Sequence, residues 1–354
     1  MTDLIQTIAP PARSLPIVIF GAGSIVSDAH LPAYAQAGFT VAGIYDPDHA
    51  KAAALAQKHG TRAFSDLAEA TAAGPSAIYD LAVPPAAIAG LLRALPEACV
   101  ALIQKPMGSD LAAADEIIGI LRARNIRAAV NFQLRFAPMC LALKDAIAQG
   151  QLGEVIDFDA LLAVDTPWHL WAFLADLPRV EILLHSIHYL DLIRDLFGNP
   201  QGIAARTMGH PSSSISNSRS SLMLDYGPKI RANLSINHNH SFGRRFQACE
   251  FRISGTKGAA YLKVGVNLDY PRGEPDELWL NTGGDWRQIP LVGNWFIAAF
   301  VGRITQVMRF ATGEDATLQG SAEDAWHTMA LAEAAFESAA RPATPVKAAP
   351  EVAK

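Results

Sequence analysis

The sequence predicts an α/β protein in which a doubly wound parallel sheet is followed by an α/β domain with a large open, mainly antiparallel sheet. From about residue 15 to residue 135, short strand patterns alternate with helix patterns of about a dozen residues, as in a parallel sheet with helices on both faces. From residue 202 to residue 289, strand patterns follow one another across short turns, as in an antiparallel sheet. The length of 354 residues favours two domains of ~100–200 residues each.

In the first region, strands are predicted where β-branched and aromatic residues form a short apolar run that a Gly, a Pro or a charged residue ends. These strands cover residues 17–20, 40–45, 77–83, 99–104 and 126–132. Helices are predicted between them, over residues 30–38, 48–59, 86–95 and 111–124. Gly38 suits a helix C-terminus, and Pro47 suits the first position of a helix. Ser109 or Asp110 can cap the last helix of this region.

The pattern changes after a linking helix predicted over residues 138–149. Further strands are predicted over residues 155–164, 221–226, 230–236, 248–254 and 259–264, and further helices over 181–197, 296–310 and 322–340. The sequence therefore divides into a flexible lead-in (1–14), a first domain (15–136), a second domain (137–340) and a frayed tail (341–354). Only 18% of the residues are charged, against ~25% in an average protein, and either a high Ala content or a subunit interface can account for this. We expect the open sheet to join subunits in a homodimer or homotetramer.

Composition excludes several classes of protein. Acidic residues outnumber basic ones by 34 − 29 = 5 and no Lys/Arg-rich run is present, so no nucleic-acid partner is expected. The longest uncharged apolar stretch, residues 81–92, is broken by prolines and is too short for a membrane span of ~20 residues. No signal-peptide pattern is evident. The three cysteines are widely spaced and form no C-x-x-C pair, which is typical of a cytoplasmic protein.

A glycine motif follows the first strand. Gly21 and Gly23 begin a G-x-G-x-x-V sequence, in which Val26 stands where a third glycine is usual. Gly21 permits a tight turn, Gly23 lets a pyrophosphate approach the backbone, and the amides of Ser24 and Ile25 lie where phosphates would bind. An ordinary glycine-rich turn is the alternative. The position after the first strand of an alternating domain favours a Rossmann domain that binds a dinucleotide.

Asp46 ends the second strand, 20 residues after the glycine motif. A carboxylate at this point can accept hydrogen bonds from the adenosine ribose and repels a 2′-phosphate, so the expected cofactor is NAD rather than NADP. Asp46 could instead cap the helix that follows. Val83, Pro84 and Gln104 end two further strands and are expected at the same cofactor edge, because ligands bind outside the carboxyl ends of parallel strands.

Lys105 follows Gln104 and should therefore point into the cofactor cleft. A cation there can hold a substrate hydroxyl and stabilise the negative charge that develops on its oxygen. The alternative is a solvated lysine on a loop.

The helix over 181–197 carries Glu181, His185 and His188 at offsets of four and three residues, which places them on one helical face. Such a face could bind hydroxyls and transfer protons, could bind a metal ion, or could be a solvated or internally satisfied surface. We favour proton transfer and hydroxyl binding, since buried charge is costly. No metal is expected, because the pattern supplies no clear further ligand.

Other polar residues could line a pocket of the size of a sugar. Asn131 and Arg135 follow a strand, and Trp168 and His169 precede the helix with the two histidines. These four side chains are candidates for substrate binding. A polar run at residues 237–240 is interpreted as a surface turn.

Four local motifs, in this order, make the chain similar to the Gfo/Idh/MocA oxidoreductases over about residues 15–340. They are the glycine motif, Gln104-Lys105-Pro106, residues 131–138, and His188-Tyr189-Leu190-Asp191 with Gly198 behind it. The resemblance implies a Rossmann domain, a second domain whose open sheet makes oligomer contacts, and NAD(P)-dependent chemistry on sugars, cyclitols and polyols. It also implies that Lys105 and His188 are catalytic.

The chain departs from the family pattern at two positions. Gln104 stands where the family usually has Glu, and Leu184 stands where it often has Asp, so Glu181 or His185 would have to act in place of that carboxylate. The resulting hypothesis is an NAD-dependent dehydrogenase that oxidises a hydroxyl of a sugar or polyol, with the anomeric carbon of an aldose as one option. The alternatives are a reductase of a keto-sugar or an imine, and a non-catalytic regulator that senses NAD or a sugar.

Overall fold

The structure is a computed structural model that describes residues 3–269 and 272–347, without the side chains of residues 171–173. Its first sheet has five parallel strands in the order β2-β1-β3-β4-β5. The strands are β1 (Ile17–Phe20), β2 (Val41–Tyr45), β3 (Ile78–Leu81), β4 (Val100–Ile103) and β5 (Arg127–Val130). The helices of this region are α1 (Leu31–Gln36), α2 (His49–His59), α3 (Leu67–Thr71), α4 (Pro85–Ala94) and α5 (Leu111–Ala123). The predicted parallel sheet is confirmed.

Capping residues determine where several of these helices begin. Asp110 caps α5 by accepting a hydrogen bond from the backbone N–H of Ala113 at 2.8 Å, as predicted. Asp48 caps α2 in the same way, so the prediction that Pro47 opens this helix is wrong, because Pro47 lies outside the cap. The sequence pattern does not predict α3, since five residues are too few to show a helical period.

The second sheet has eight strands in the order β13-β12-β11-β10-β6-β9-β8-β7, and it is antiparallel except where β6 runs parallel to β9. Its strands are β6 (Val155–Ala163), β7 (Gly202–Met208), β8 (Arg219–Asp225), β9 (Arg231–Asn237), β10 (Ala248–Gly255), β11 (Ala259–Lys263), β12 (Glu277–Asn281) and β13 (Arg287–Ile289). The accompanying helices are α6 (Pro138–Ala148), α7 (Ile187–Phe197), α8 (Phe300–Ala311) and α9 (Ala322–Ala340). The predicted large, mainly antiparallel sheet is confirmed.

Side chains alternate across this sheet. In β8, Leu222 and Leu224 are buried, whereas Met223 between them is 52% exposed. The buried face packs against α7 in the main hydrophobic core, and the other face is open. This is the arrangement of an antiparallel sheet with one covered face.

The last two helices return to the first sheet. Phe300, Ile304 and Val307 of α8 belong to the same buried cluster as Ile17 and Ile19 of β1. Helix α9 is tied to both regions: the Trp326 indole donates to Asp115 of α5 at 2.7 Å, and Ser338 accepts from the backbone N–H of Ala205 in β7 at 2.9 Å. The segment predicted as a second domain therefore contains a helix that completes the core of the first sheet.

The predicted lead-in is held in place by hydrogen bonds, whereas the end of the predicted tail lies outside the described residues. Residues 3–14 form hydrogen bonds with distant parts of the chain, from the Ile5 amide to Asp145 at 3.0 Å and from the Ala12 amide to Glu314 at 2.9 Å. The end of the predicted frayed tail, residues 348–354, lies outside the described residues. In the part of the chain that the structure describes, no helix has the length and apolarity needed to cross a membrane.

Candidate active site

A cleft of about 1260 Å³ lies between the carboxyl edge of the first sheet and the second domain. Sites for one small ligand typically measure ~300–1,000 Å³, so this cleft has room for part of a dinucleotide and a second small molecule. Its first wall comes from the segments after β1, β3 and β4, namely residues 23–25, 82–86, 104–106 and 109–112. Its second wall comes from residues 165–168, 174, 177–180, 183–185, 267 and 333.

Residues 23–25 of the glycine motif line this cleft. Gly21 has φ +103°, and a Cβ atom at this position would lie 2.3 Å from the carbonyl oxygen of Ala82, so only glycine fits. A Cβ atom on Gly23 would meet nothing within 4 Å, which leaves the backbone open to a ligand. Val26 is fully buried among the residues of the sheet. The motif has the shape that a pyrophosphate requires.

Asp46 does not cap α2, since Asp48 does, and its carboxylate instead links the glycine motif to the start of that helix. One carboxylate oxygen accepts from the Ala22 amide of the glycine motif at 2.8 Å, and the other accepts from the Asp48 amide before α2 at 2.9 Å. The carboxylate is thereby held beside the glycine motif, where a ribose would lie.

Lys105 is half-buried in the wall of the cleft. Its ammonium donates to the backbone carbonyl of Leu184 at 2.6 Å. Leu184 stands where an Asp is often found, so the partner of the lysine here is a main-chain oxygen and not a side-chain carboxylate. Burial lowers the pKa of Lys105 to about 8. Gln104 accepts from the Lys105 amide at 3.0 Å and also lines the cleft.

The two helical histidines occupy different environments. Residues Glu181–Ser186 form a π-helical segment before α7, in which each hydrogen bond spans one residue more than in an α-helix, so the predicted straight stripe of side chains is interrupted. His185 lines the cleft. His188 is 5% exposed and packs edge-on against Phe132 and Trp295.

Both imidazoles are held in the neutral form. Burial keeps the pKa of His188 well below its usual value, and the nearby Lys105 ammonium acts in the same direction. Burial also keeps the pKa of His185 well below its usual value, with smaller effects from His238, His188 and Lys105. Lys105 therefore has two neutral histidines as neighbours.

Glu181 does not lie on a solvated face. Its side chain is fully buried, accepts a hydrogen bond from the Ser186 hydroxyl, and approaches His238 to 3.8 Å. The cost of buried charge led us to expect that the helical face with Glu181, His185 and His188 stays outside the core, and this expectation is wrong for Glu181. The surface-turn interpretation is wrong for His238, which is 1% exposed. The signal that could have placed His238 is the alternation of β9, in which Ala232, Leu234 and Ile236 are buried and residue 238 continues the same face.

The structure does not bring all predicted substrate-binding residues to the cleft. Trp168 lines it and packs against His238 at 5.2 Å between ring centres, but His169 is exposed outside the cleft lining. Asn131 is buried directly after β5, where its amide lies 3.3 Å from Nε2 of His30. Arg135 is 7% exposed and is held by carboxylates.

The carboxylates around Arg135 explain its position. Asp191 receives two hydrogen bonds from the guanidinium, at 2.5 and 2.6 Å, and Asp195 and Asp324 lie at 3.3 and 2.7 Å. These contacts join the segment after β5 to α7 and α9. Asp191 of the His-x-x-Asp motif thus binds Arg135, whereas His188 packs against Phe132 and Trp295.

Two family models match most of this architecture. Residues 15–132 match the model described as "Oxidoreductase family, NAD-binding Rossmann fold", and residues 140–261 match the "GFO/IDH/MocA C-terminal domain". The chain belongs to the Gfo/Idh/MocA oxidoreductase family. The predicted family is confirmed, and so is the predicted cofactor, NAD, since the matching domain is an NAD-binding Rossmann fold.

Individual members of the Gfo/Idh/MocA family are similar to this chain at low identity. A 1,5-anhydro-D-fructose reductase from Ensifer adhaerens is 25% identical over 170 residues, which are 47% of this chain and 50% of the relative. An inositol 2-dehydrogenase from Leifsonia xyli subsp. xyli is 30% identical over 165 residues, 43% of this chain and 44% of the relative. The chain thus matches about half the length of these curated relatives.

A solved structure extends the similarity to nearly the whole chain. An oxidoreductase from Agrobacterium radiobacter, in complex with NAD+, L-tartaric acid and magnesium, aligns with a TM-score of 0.78 over 93% of this chain and 97% of that one. At 20% identity it shows that the two proteins share the Gfo/Idh/MocA fold.

Proposed function

We propose that this chain is an NAD-dependent dehydrogenase that oxidises a hydroxyl group of a sugar or polyol, with the anomeric carbon of an aldose as one candidate position. The observation that carries the proposal is a cleft that holds both the glycine motif and Lys105, with His185 in its lining and the buried His188 close enough for the lysine charge to lower its pKa. A protonated lysine can bind a hydroxyl oxygen, and a neutral imidazole can accept its proton. The names of the two curated relatives, one acting on inositol and one on an anhydro-sugar, support the substrate class.

In the proposed reaction, bound NAD+ supplies the acceptor for the hydride that leaves the carbinol carbon. Lys105 orients the substrate oxygen and stabilises its developing negative charge. His188 accepts the hydroxyl proton, so the substrate loses one hydride and one proton and becomes a carbonyl compound. Asp46 and the glycine motif would hold the adenosine ribose and pyrophosphate. Trp168 and His185 line the remaining space of the cleft, where other substrate hydroxyls would bind.

The proposal is tested by mixing the purified chain with NAD+ and a panel of aldoses and inositols, and by following NADH absorbance. We expect at least one of these compounds to be oxidised. The reverse assay, with NADH and the corresponding keto-sugars or lactones, determines which direction is faster. NAD binding without turnover of any panel member in either direction would favour a sensing role.

The pH dependence of kcat/KM is expected to show the titration of Lys105. The protonated form binds the substrate oxygen and predominates below the pKa of about 8, so kcat/KM should be level near pH 7 and fall above pH 8. His188 stays neutral near pH 7 because its pKa lies well below 6.5, so no loss of activity is expected between pH 8 and pH 7. A steady-state profile from pH 6 to pH 10 measures this, and a rise through pH 8 would instead identify neutral Lys105 as the base.

The preference for NAD over NADP is expected to depend on Asp46. Asp46→Ser removes the carboxylate that repels a 2′-phosphate, so the ratio of kcat/KM for NAD+ to that for NADP+ should fall about tenfold or more. Asp48→Ser is the matched control, because it removes the same charge two residues later while serine still caps α2. Equal ratios in the two variants would show that Asp46 does not select the cofactor.

We further propose that the open face of the second sheet pairs with another copy of the chain in a homodimer or homotetramer. This face carries exposed apolar side chains such as Leu161 and Met223, at 38% and 52% exposure. Sedimentation of the purified chain tests this proposal. A reducing, cytoplasmic location is proposed as well, because Cys99, Cys140 and Cys249 are all buried as free thiols.

A further inference from the structure

Three side chains of types that can bind a metal ion lie together at the cleft wall, where one of them, His185, lines the cleft. Glu181 and His185 come from the π-helical segment before α7, and His238 follows the end of β9. One ligand atom from each of the three lies within 4.8 Å of the other two. The carboxylate of Glu181 is 3.8 Å from Nε2 of His238, and the rings of His185 and His238 are 4.4 Å apart at their centres.

Each of these side chains has a buried polar atom without a hydrogen-bond partner among the described residues. The atoms are Oε2 of Glu181, Nδ1 of His185 and Nε2 of His238. Glu181 and His238 are 0% and 1% exposed, so water cannot readily satisfy these atoms from the surface. An unpaired polar atom in a protein interior is costly, and three such atoms on side chains whose ligand atoms lie within 4.8 Å of one another indicate a ligand that the three share.

The chemistry of the three side chains indicates which ligand this is. Two imidazoles and one carboxylate suit a divalent first-row transition metal, whereas Mg²⁺ and Ca²⁺ prefer sites made of oxygen atoms. In a tetrahedral zinc site, ligands at ~2.0–2.2 Å from the metal lie ~3.4 Å from one another. The separations of up to 4.8 Å observed here require the side chains to close by ~1.5 Å at most.

Neighbouring groups already orient two of the three ligands. The Thr166 hydroxyl lies 2.8 Å from Nδ1 of His238, which leaves Nε2 as the ring nitrogen directed at the cluster. The Ser186 hydroxyl donates to one oxygen of Glu181, and the other oxygen is the unpartnered one. Hydrogen bonds of this kind, to the far side of a ligand, are typical of metal centres.

We propose that Glu181, His185 and His238 bind one divalent transition-metal ion, for which Zn²⁺ fits best, at the wall of the cleft. His185 lines the cleft, and Thr166 beside His238 does so too, so a fourth ligand would reach the ion from the cleft, where the substrate would lie. The ion can take an oxygen of the substrate in that position. The sequence pattern Glu181-x3-His185 supplies two of the three ligands. The third, His238, directly follows the end of β9 in the second sheet and does not lie on the helix.

The proposal is tested by metal binding in the absence of cofactor and substrate, so its outcome is independent of the proposed reaction. The untagged chain is treated with a chelator and titrated with Zn²⁺ against a chromophoric competitor, and with Co²⁺ by visible absorption. We expect one ion per chain, a tetrahedral Co²⁺ spectrum, and a rise in the melting temperature with Zn²⁺. Parallel titrations with Mn²⁺ and Fe²⁺ show whether either binds more tightly than Zn²⁺, which would overturn the assignment to zinc.

Two variants remove ligands, and a third serves as control. His238→Gln and Glu181→Gln should each weaken Zn²⁺ binding about 100-fold or more. His240→Gln changes a histidine two residues further along the same segment and should leave Zn²⁺ affinity within about twofold. NAD binding, measured for every variant, shows that the fold is intact. Absence of stoichiometric Zn²⁺ in the wild-type chain, or equal affinity in the ligand variants and the control, would overturn the proposal.

Discussion

Replacing Lys105 with methionine is expected to lower kcat by about 10³-fold, while the Kd for NAD changes by less than about threefold. Methionine keeps the length of the side chain but removes the ammonium that would stabilise the substrate oxygen, and loss of one such donor typically costs ~10²–10³ in kcat. The melting temperature should not fall, because burial already disfavours the charged lysine, as its lowered pKa shows. Steady-state kinetics, NAD titration and thermal unfolding together measure these effects.

Lys229→Met is the control for this substitution. Lys229 is exposed at the turn between β8 and β9, so the same chemical change there should leave kcat, NAD affinity and the melting temperature unaltered. A Lys105→Met enzyme with nearly wild-type kcat would remove Lys105 from the mechanism. A parallel loss of kcat and NAD affinity would instead assign the lysine to cofactor binding.

Arg135→Met is expected to destabilise the protein by about 3–5 kcal/mol, with little effect on the KM of the folded enzyme. The substitution removes the partner of Asp191, which is fully buried, and leaves an uncompensated carboxylate in the interior. The substitution also removes the ion pairs that join the segment after β5 to the helices α7 and α9. Chemical unfolding gives the change in stability, and kinetics at low temperature give KM.

An exposed arginine provides the comparison for Arg135. Arg231 also pairs with two carboxylates, Asp157 and Asp159, but it is 60% exposed on the open sheet. Arg231→Met should therefore cost much less stability, since water solvates the carboxylates that it leaves behind. An Arg135→Met enzyme of normal stability and greatly raised KM would support the interpretation from sequence, in which Arg135 binds substrate.

The sequence predicts the parts of this protein that local chemistry determines. The Gly21 turn requires a glycine because of its φ and its contact with Ala82, so the motif and its position are visible in the sequence. Lys105 is equally visible, because it directly follows a strand pattern. The strands and the longer helices follow from alternation and capping residues, as α9 shows with Ser321 at its start.

The contacts that depend on distant segments are not visible in the sequence. Glu181, His185 and His188 share a face in an α-helix, but a π-helical segment changes their relative directions. His238 reaches Glu181 only because β9 and the segment before α7 come together in space. Arg135 has the same chemistry in a substrate pocket as in an ion-pair network, and only the positions of Asp191 and Asp324 distinguish the two.

The return of α8 to the first sheet has a consequence for the order of events during synthesis on the ribosome. About 170 residues separate the end of β5 at Val130 from the start of α8 at Phe300. At ~5–20 residues per second, roughly 10–35 s pass before the helix that covers Ile17 and Ile19 has been made. During that interval the cluster lacks the side chains that α8 supplies, so the apolar residues that pack against α8 in the finished protein stay in contact with water.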